Sequence, residues 1–187
     1  MSTLSTALMT AEELLQVPRG YHRHELINGE LKTMPLFGVP HGRITARLSV
    51  PLGNFVSDHD LGEVTYAGFQ LTWSPDTVLG PDIAFIAKER LKEVGKIEGY
   101  WPGPPDIAVQ VLDPGDGLSE QETLSRWFGF ATKQVWIVDP KHSTVTVYRS
   151  PSDSTKFSGS DDLEAQDLFP GFRLSLDKIF GTSSQEK

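Results

Sequence analysis

Three polar positions combine residue type and spacing in a way that could hold a hard cation. Glu25 lies in RHELINGELKTM (23–34), where Asn28-Gly29 marks a tight hairpin because both residues accept positive φ. Asp82 follows Pro81 at the head of an apolar run, PDIAFIA (81–87). Gln110 interrupts a second apolar run, DIAVQVL (106–112). Metal-dependent nucleases present oxygen ligands from two adjacent strands to Mg²⁺. A hard cation takes oxygen donors, and a carboxylate supplies both donor and charge. Spacing alone does not single out that chemistry, since Pro-Asp pairs are common. Asp82 could equally cap a turn at a strand start, and Glu25 could pair with Lys32 across the hairpin. Gln110 alternates with Ala108 and Leu112, and a Gln in such a strand must find hydrogen-bond partners if buried. Asp106, on the same face near the strand start, reads as solvated.

Other candidates carry less. His22 and His24 share one strand face, a spacing that suits a metal but more often marks surface residues. Arg43 and Arg47, four apart in HGRITARL (41–48), would make a modest phosphate-contacting stripe on a helix, or simply a solvated face. Trp73, Trp101, Trp127 and Trp136 read as core or interface residues.

The elements that must position these side chains follow from periodicity. Thr10-Ala11-Glu12-Glu13 is a capping box and starts a short helix that stops before Pro18. Residues 41–57 place Ile44, Leu48, Leu52, Phe55 and Val56 at helical spacing, with Pro51 predicted to kink or end the helix. Residues 62–73 read as a strand interrupted at Gly68, 88–94 as a short helix, and 100–105 as a rigid loop. Residues 113–117 read as a turn, and 118–132 as a helix burying Leu124, Trp127, Phe128 and Ala131. Residues 134–138 and 144–149 read as strands. From about 151 the chain is a polar extension with short strand candidates, ending in a helical turn at 175–180. The class is α+β, with a mixed central β-sheet flanked by helices in a single domain over 1–187. The apolar strands near 83, 109 and 136 are predicted to be covered on both faces.

Composition bounds the function. The 187 residues carry 17 Lys plus Arg and 25 Asp plus Glu, a net charge of −8, and no Cys. The lack of Cys excludes disulfides, thiolate metal sites and a Cys nucleophile. The acidic balance argues against coating nucleic acid by bulk charge, though not against a local basic groove. No apolar run approaches a membrane helix and no secretory signal is visible, so a cytoplasmic protein without membrane contact is expected.

The blocks HELINGEL, HGRITARL, PDIAFIAKERL, PPDIAVQVLDP and WIVDP, followed by TVTVYR, occur in that order. Together they are similar to a large bacterial family of restriction-endonuclease-like proteins with the PD-(D/E)xK nuclease fold. The resemblance runs from about residue 9 to about residue 150. It implies a Mg²⁺-dependent phosphodiesterase acting on DNA. Asp82 would be the metal-binding Asp, Glu25 an assisting carboxylate, and His41 a residue facing the cleft, with Arg43 and Arg47 beside it for substrate. Two positions depart from the pattern. The family expects Val-Glu-Val-Leu-Ser-Pro where this chain has Val109-Gln110-Val111-Leu112-Asp113-Pro114, so Gln110 stands at a metal-binding Glu. It also expects a Lys about thirteen residues before the Trp of WIVDP, where this chain has Thr123. No Lys occurs between Lys96 and Lys133, so a shifted register does not restore it.

Gln keeps the shape of Glu and an amide oxygen but loses the charge that offsets a cation, and Thr cannot supply the charge of Lys. Asp113, Glu122 or Arg126 could compensate. The expected outcome is impaired hydrolysis on a nuclease fold. The alternative is an inactive nuclease-fold protein that binds nucleic acid or serves as a dimeric interaction module. The strand at 144–149, read as an edge, and the aromatic run WFGF (127–130) raise the expectation of a homodimer.

Overall fold

The computed structural model describes residues 8–18, 20, 22–66, 68–70, 75–113 and 118–181. The helix α1 (Ala11–Gln16) starts at the predicted capping box, with the Thr10 side chain accepting from Glu13 N–H and the Glu13 carboxylate accepting from Thr10 N–H. The hairpin follows as β1 (His22–Ile27) and β2 (Glu30–Pro35). Asn28 at φ 50° and Gly29 at φ 77° form its turn, as those residue types require. Next come α2 (Val39–Asp58), β3 (Gly62–Thr65), β4 (Phe69–Gln70), β5 (Val78–Leu79), β6 (Ile83–Ala87) and α3 (Lys88–Val94). The chain continues as β7 (Trp101–Pro102), β8 (Ile107–Val111), α4 (Glu120–Gly129), β9 (Gln134–Asp139) and β10 (Thr144–Ser150). It ends with β11 (Asp153–Ser158), β12 (Asp162–Glu164), β13 (Arg173–Ser175) and α5 (Leu176–Phe180).

Two mixed sheets carry the structure. The larger has the order β11-β10-β9-β8-β6-β3, antiparallel except for the parallel pair β8–β9. Its three central strands are buried on both faces, as predicted. Ile83, Phe85, Val109 and Trp136 face a core closed by Leu48 and Leu52 of α2, while Ala84, Ile86, Ala108 and Ile137 face a second core closed by Leu124 and Trp127 of α4. The smaller sheet, β2-β1-β5-β4-β7, packs Leu26 and Val78 against Ala11 and Leu14 of α1. The chain passes from this sheet into the larger one through Gly80-Pro81-Asp82, so the Pro-Asp pair marks the junction of the two sheets.

Several sequence expectations are corrected. The helix α2 runs on through Pro51 to Asp58. An interior Pro costs about 3 kcal/mol, whereas burying each of Leu48, Leu52 and Val56, at 0%, 0% and 1% exposure, returns about 1.5–3 kcal/mol. The rigid loop at 100–105 contains β7, paired in parallel with β4. In α4, Thr123 joins Leu124 and Trp127 in the buried stripe, whereas Ala131 lies beyond the helix end, exposed, at φ 66°. The strand β10 is no edge, because β9 and β11 pair with it on both sides. Trp127 and Phe130 are buried inside the chain, ring centroids 5.9 Å apart, and Phe128, expected to be buried, is half-buried against the same core. The segment after 151 is not a polar extension. Its Leu163, Phe169, Phe172, Leu174, Leu176 and Ile179 complete the core on the α2 side. Trp73 and the residues 114–117 of the turn lie outside the described residues.

Asp106 is also corrected: it is 1% exposed rather than solvated. Its Oδ2 accepts from Ala87 N–H at 2.8 Å and lies 3.4 Å from Arg90, while its Oδ1 lies 2.8 Å from the Lys133 ammonium. The Lys133 contact has charge proximity without hydrogen-bond alignment. Asp106 thus ties α3 to the start of β8. Asp106→Ala leaves the Ala87 N–H unpaired, and chemical denaturation is expected to show a loss of roughly 1–3 kcal/mol. The helix α4 begins at a second capping box, in which the Ser119 side chain accepts from Glu122 N–H and Ser119 N–H donates to the Glu122 carboxylate. Ser119→Ala is expected to cost about 1 kcal/mol in the same assay. The backbone and side-chain hydrogen bonds from Ser119 hold the Glu122 carboxyl below its ordinary range. Its contribution to stability is therefore full above the unfolded-state pKa and is lost as pH falls through the lowered folded one. The difference in denaturation midpoint between wild type and Glu122→Gln is expected to shrink on that acid side.

Candidate functional site

Asp82 sits at the sheet junction because of the β6–β8 register. Ile83 pairs with Val109 and Ala84 with Ala108, so one step further along the ladder Asp82 stands opposite Gln110. The side chains of such cross-strand neighbours lie on one face. Asp82 N–H donates to Val109 C=O at 3.0 Å, continuing the ladder. The Asp82 side chain is 3% exposed. A carboxylate so buried must be compensated, and three groups converge on it. Gln110 Nε2 donates to Asp82 Oδ2 at 2.8 Å, and Val111 N–H donates to the same oxygen at 2.7 Å. His41 Nε2 lies 3.3 Å from the other oxygen, close in charge terms but out of line for a hydrogen bond. Asp82 therefore does not cap a local turn. Its acceptor-only carboxylate also fixes how the Gln110 amide faces, since the opposite orientation would set two acceptors against each other.

His41 lies in the first turn of α2 and is 5% exposed, and it contacts the carboxylate at the wall of a further hollow of about 420 Å³ that it lines with Phe37, Tyr66 and Asp82. Its Nδ1 lies 3.3 Å from the Thr45 hydroxyl, one turn on. The Phe37 ring stacks on the imidazole at 3.4 Å between centroids, and the Arg23 guanidinium stacks over Phe37 at 3.4 Å. This column of Arg23, Phe37 and His41 leads from the hairpin to Asp82. Sequence reasoning missed Arg23 and Phe37. Arg23 had a signal, lying two residues from Glu25 on one strand, whereas Phe37 lies in an irregular loop with no periodicity.

Glu25 reaches the same region from β1. Its Cα is opposite that of Lys32, but Lys32 pairs with Glu30 instead, at 2.9 Å. Glu25 Oε1 accepts from Gly80 N–H at 3.0 Å, and its Oε2 lies 3.6 Å from the Arg126 guanidinium of α4. Glu25, Gln110, Thr123 and Arg126 border one small space of about 20 Å³. On one side it continues into a 210 Å³ hollow along Arg23, Glu25, Phe37, Tyr66 and Asp82. On the other lies a 430 Å³ cavity along Gln110, Leu112, Asp113, Thr123 and Lys141. The three hollows adjoin one another as a cleft over the sheet junction, the small one sharing Gln110 and Thr123 with the largest and Arg23 and Glu25 with the other. At its rim, burial and a hydrogen bond to Glu120 push the Tyr148 hydroxyl up to about 12.

The sequence candidates thus divide. Glu25, Asp82, Gln110 and His41 come together, with Thr123 and Arg126 beside them. Arg43 and Arg47 are exposed and line none of these hollows, and Arg47 packs against Gly181 at the end of α5. Glu122 is occupied by the α4 cap and does not replace a lost carboxylate. Asp113 lines the large cavity beyond Gln110. Thr123, 3% exposed, donates its hydroxyl to Ser119 C=O at 3.1 Å and leaves no cation at its position. His22 and His24 lie with ring centroids 6.4 Å apart, and His24 Nδ1 is paired with the Thr33 hydroxyl at 3.2 Å.

The donor set does not fit a hard divalent cation as found. One oxygen of Asp82 is taken by two N–H donors, and Gln110 turns its NH₂ group, not its oxygen, toward the carboxylate. Among the described residues no three His, Asp or Glu side chains cluster closely enough to hold a metal. None of their helices is long and apolar enough to cross a membrane.

The geometry agrees with what the chain resembles. A solved structure described as a "putative nuclease belonging to DUF820" from Anabaena variabilis superposes with a TM-score of 0.75 at 21% identity, covering 92% of this chain and 98% of that one. That likeness establishes the restriction-endonuclease-like fold. No curated protein matches the chain. The sequence model of the Uma2 family, described as "Putative restriction endonuclease", matches residues 11–177. That span takes in both sheets and the whole cleft, and the chain belongs to this family.

Proposed function

We propose that this protein keeps the DNA-binding cleft of a nuclease while its hydrolytic centre is impaired, a carboxamide–carboxylate hydrogen bond occupying the place of a Mg²⁺ site. The observation that carries this reading is the 2.8 Å hydrogen bond from Gln110 Nε2 to Asp82 Oδ2. Two carboxylates in that cross-strand pairing would repel unless a cation or a proton lay between them. A carboxamide removes the repulsion and bridges the gap itself, as a charge-assisted hydrogen bond of about 1.5–3 kcal/mol. A cation entering between them must break that bond and turn the amide around, with one negative charge fewer to reward it. Thr123 removes a second electrostatic aid, since it cannot stabilise the developing charge on a phosphoryl oxygen. Arg23 and Arg126 support retained affinity for an anionic backbone, because they set two guanidinium groups beside the single Glu25 carboxylate at the small central space, although Asp82, Asp113, Glu120 and Asp139 line the flanking hollows.

Two outcomes are expected. Incubated with single- and double-stranded DNA and Mg²⁺ or Mn²⁺, the wild type leaves the DNA intact, and a Gln110→Glu, Thr123→Lys double variant gains cutting. Cleavage by the wild type that Asp82→Ala abolishes would sink the proposal. Gln110→Glu alone sets two carboxylates face to face, so thermal denaturation in metal-free buffer should show it less stable, by roughly 1–3 kcal/mol. Mg²⁺ should raise the Tm of that variant and not of the wild type, because only the variant gains a bound state to favour folding.

A further inference from the structure

The cleft contains an ion pair with one fixed and one loosely held partner. Glu25 is the fixed one. Its side chain is 14% exposed and one oxygen is anchored by Gly80 N–H at 3.0 Å. Arg126 is the loose one. Its side chain is 33% exposed and meets Glu25 only at 3.6 Å, beyond ordinary hydrogen-bond range. Arg126 lies one turn beyond Thr123 on α4, and both border the 20 Å³ space, which has room for about one water and not for a phosphate. The hollows on either side are ten and twenty times larger. A ligand lying across them passes the guanidinium. Of the other basic side chains on the three hollows, Arg23 is engaged with Pro35 C=O and the Phe37 ring, and Lys141 lies at the far end beside Asp139.

We propose that Arg126 is a phosphate-binding residue of this cleft, held in place by Glu25 and released by it to the phosphodiester backbone of DNA. The inference rests on the DNA-binding reading above and names the group that makes the contact. A phosphodiester offers two non-bridging oxygens to the planar guanidinium in a bidentate geometry, whereas the Glu25 contact uses one nitrogen at long range. Glu25 is then a positioning residue. Its carboxylate keeps Arg126 inside the cleft and also competes with the phosphate for it.

The test is fluorescence anisotropy with a labelled single-stranded oligonucleotide and its duplex, across a salt series, without divalent metal. Arg126→Ala is expected to weaken binding about tenfold and to flatten the salt slope by about 0.7 for the single strand and 0.9 for the duplex, the signature of one lost phosphate contact. Arg126→Lys, which keeps the charge, retains the slope while losing part of the affinity. Glu25→Gln removes the competitor and tightens binding several-fold, an effect opposite in sign to that of general damage to the fold. Lys96→Ala, at a side chain 89% exposed and outside the cleft, leaves affinity within about twofold. The proposal is overturned if Arg126→Ala binds like the wild type or no worse than Lys96→Ala. Weaker binding by Glu25→Gln, or no binding by the wild type at low salt, overturns it as well. The two readings fail separately: wild-type binding that Arg126→Ala leaves unchanged sinks this inference alone, cutting by the wild type sinks only the impaired-hydrolysis reading, and absence of wild-type binding sinks the DNA-binding reading together with this one.

Discussion

A carboxylate 3% exposed at the meeting point of two sheets is a debt the fold has to cover, and the arrangement around Asp82 follows from it. Burying an ion without compensation costs several kcal/mol. A metal-dependent nuclease meets that cost with a cation, which is also its catalyst. Here the compensation is built from the chain. The Gln110 amide and the Val111 N–H share one oxygen, and His41 lies beside the other. On the function proposed above, Gln110 exchanges an interaction that requires a metal for one that does not, and the site is self-sufficient in structure at the expense of hydrolysis.

The scaffold serves that junction from every side. The register of β6 with β8 sets Asp82 against Gln110. The hairpin brings Glu25 to Gly80, where the chain crosses between sheets. Two long helices cover opposite faces of the larger sheet, α2 delivering His41 and α4 delivering Thr123 and Arg126. Close approach matters away from the site too. Gly62, at φ 149°, faces Ile86 across the β3–β6 pair so closely that a Cβ would stand 2.0 Å from the Ile86 carbonyl oxygen. The residues after 151 close the core beneath α2, and so help to hold the helix that carries His41.

Much of this was legible in the sequence, for identifiable reasons. Strands buried on both faces announce themselves as unbroken apolar runs, and Asn28-Gly29 specifies its own turn. Gln110 stood out as a polar residue within an apolar run, whereas Glu25 and Asp82 were singled out by the family resemblance. What was hidden depended on tertiary contacts. Asp106 looked solvated because its partners, Arg90 and Lys133, are distant in sequence. The last strands looked like a tail because Phe169, Phe172 and Leu174 are scattered among polar residues with no clear period. Pro51 pointed to a kink or a helix end because local cost is visible in sequence and the burial that outweighs it is not. His41 was expected to face the cleft, and what the sequence hid is its contact with Asp82 beneath the Phe37 ring.

On the function proposed above, the Asp82–Gln110 hydrogen bond stands where a metal would. Calorimetric titration of Mn²⁺ into the wild type, Asp82→Ala, Gln110→Glu and the Gln110→Glu, Asp82→Ala pair tests it without reference to activity. The account predicts no Asp82-dependent heat in the wild type and a saturable single site in Gln110→Glu that vanishes when Asp82 is also removed. Saturable binding by the wild type that disappears in Asp82→Ala would contradict it.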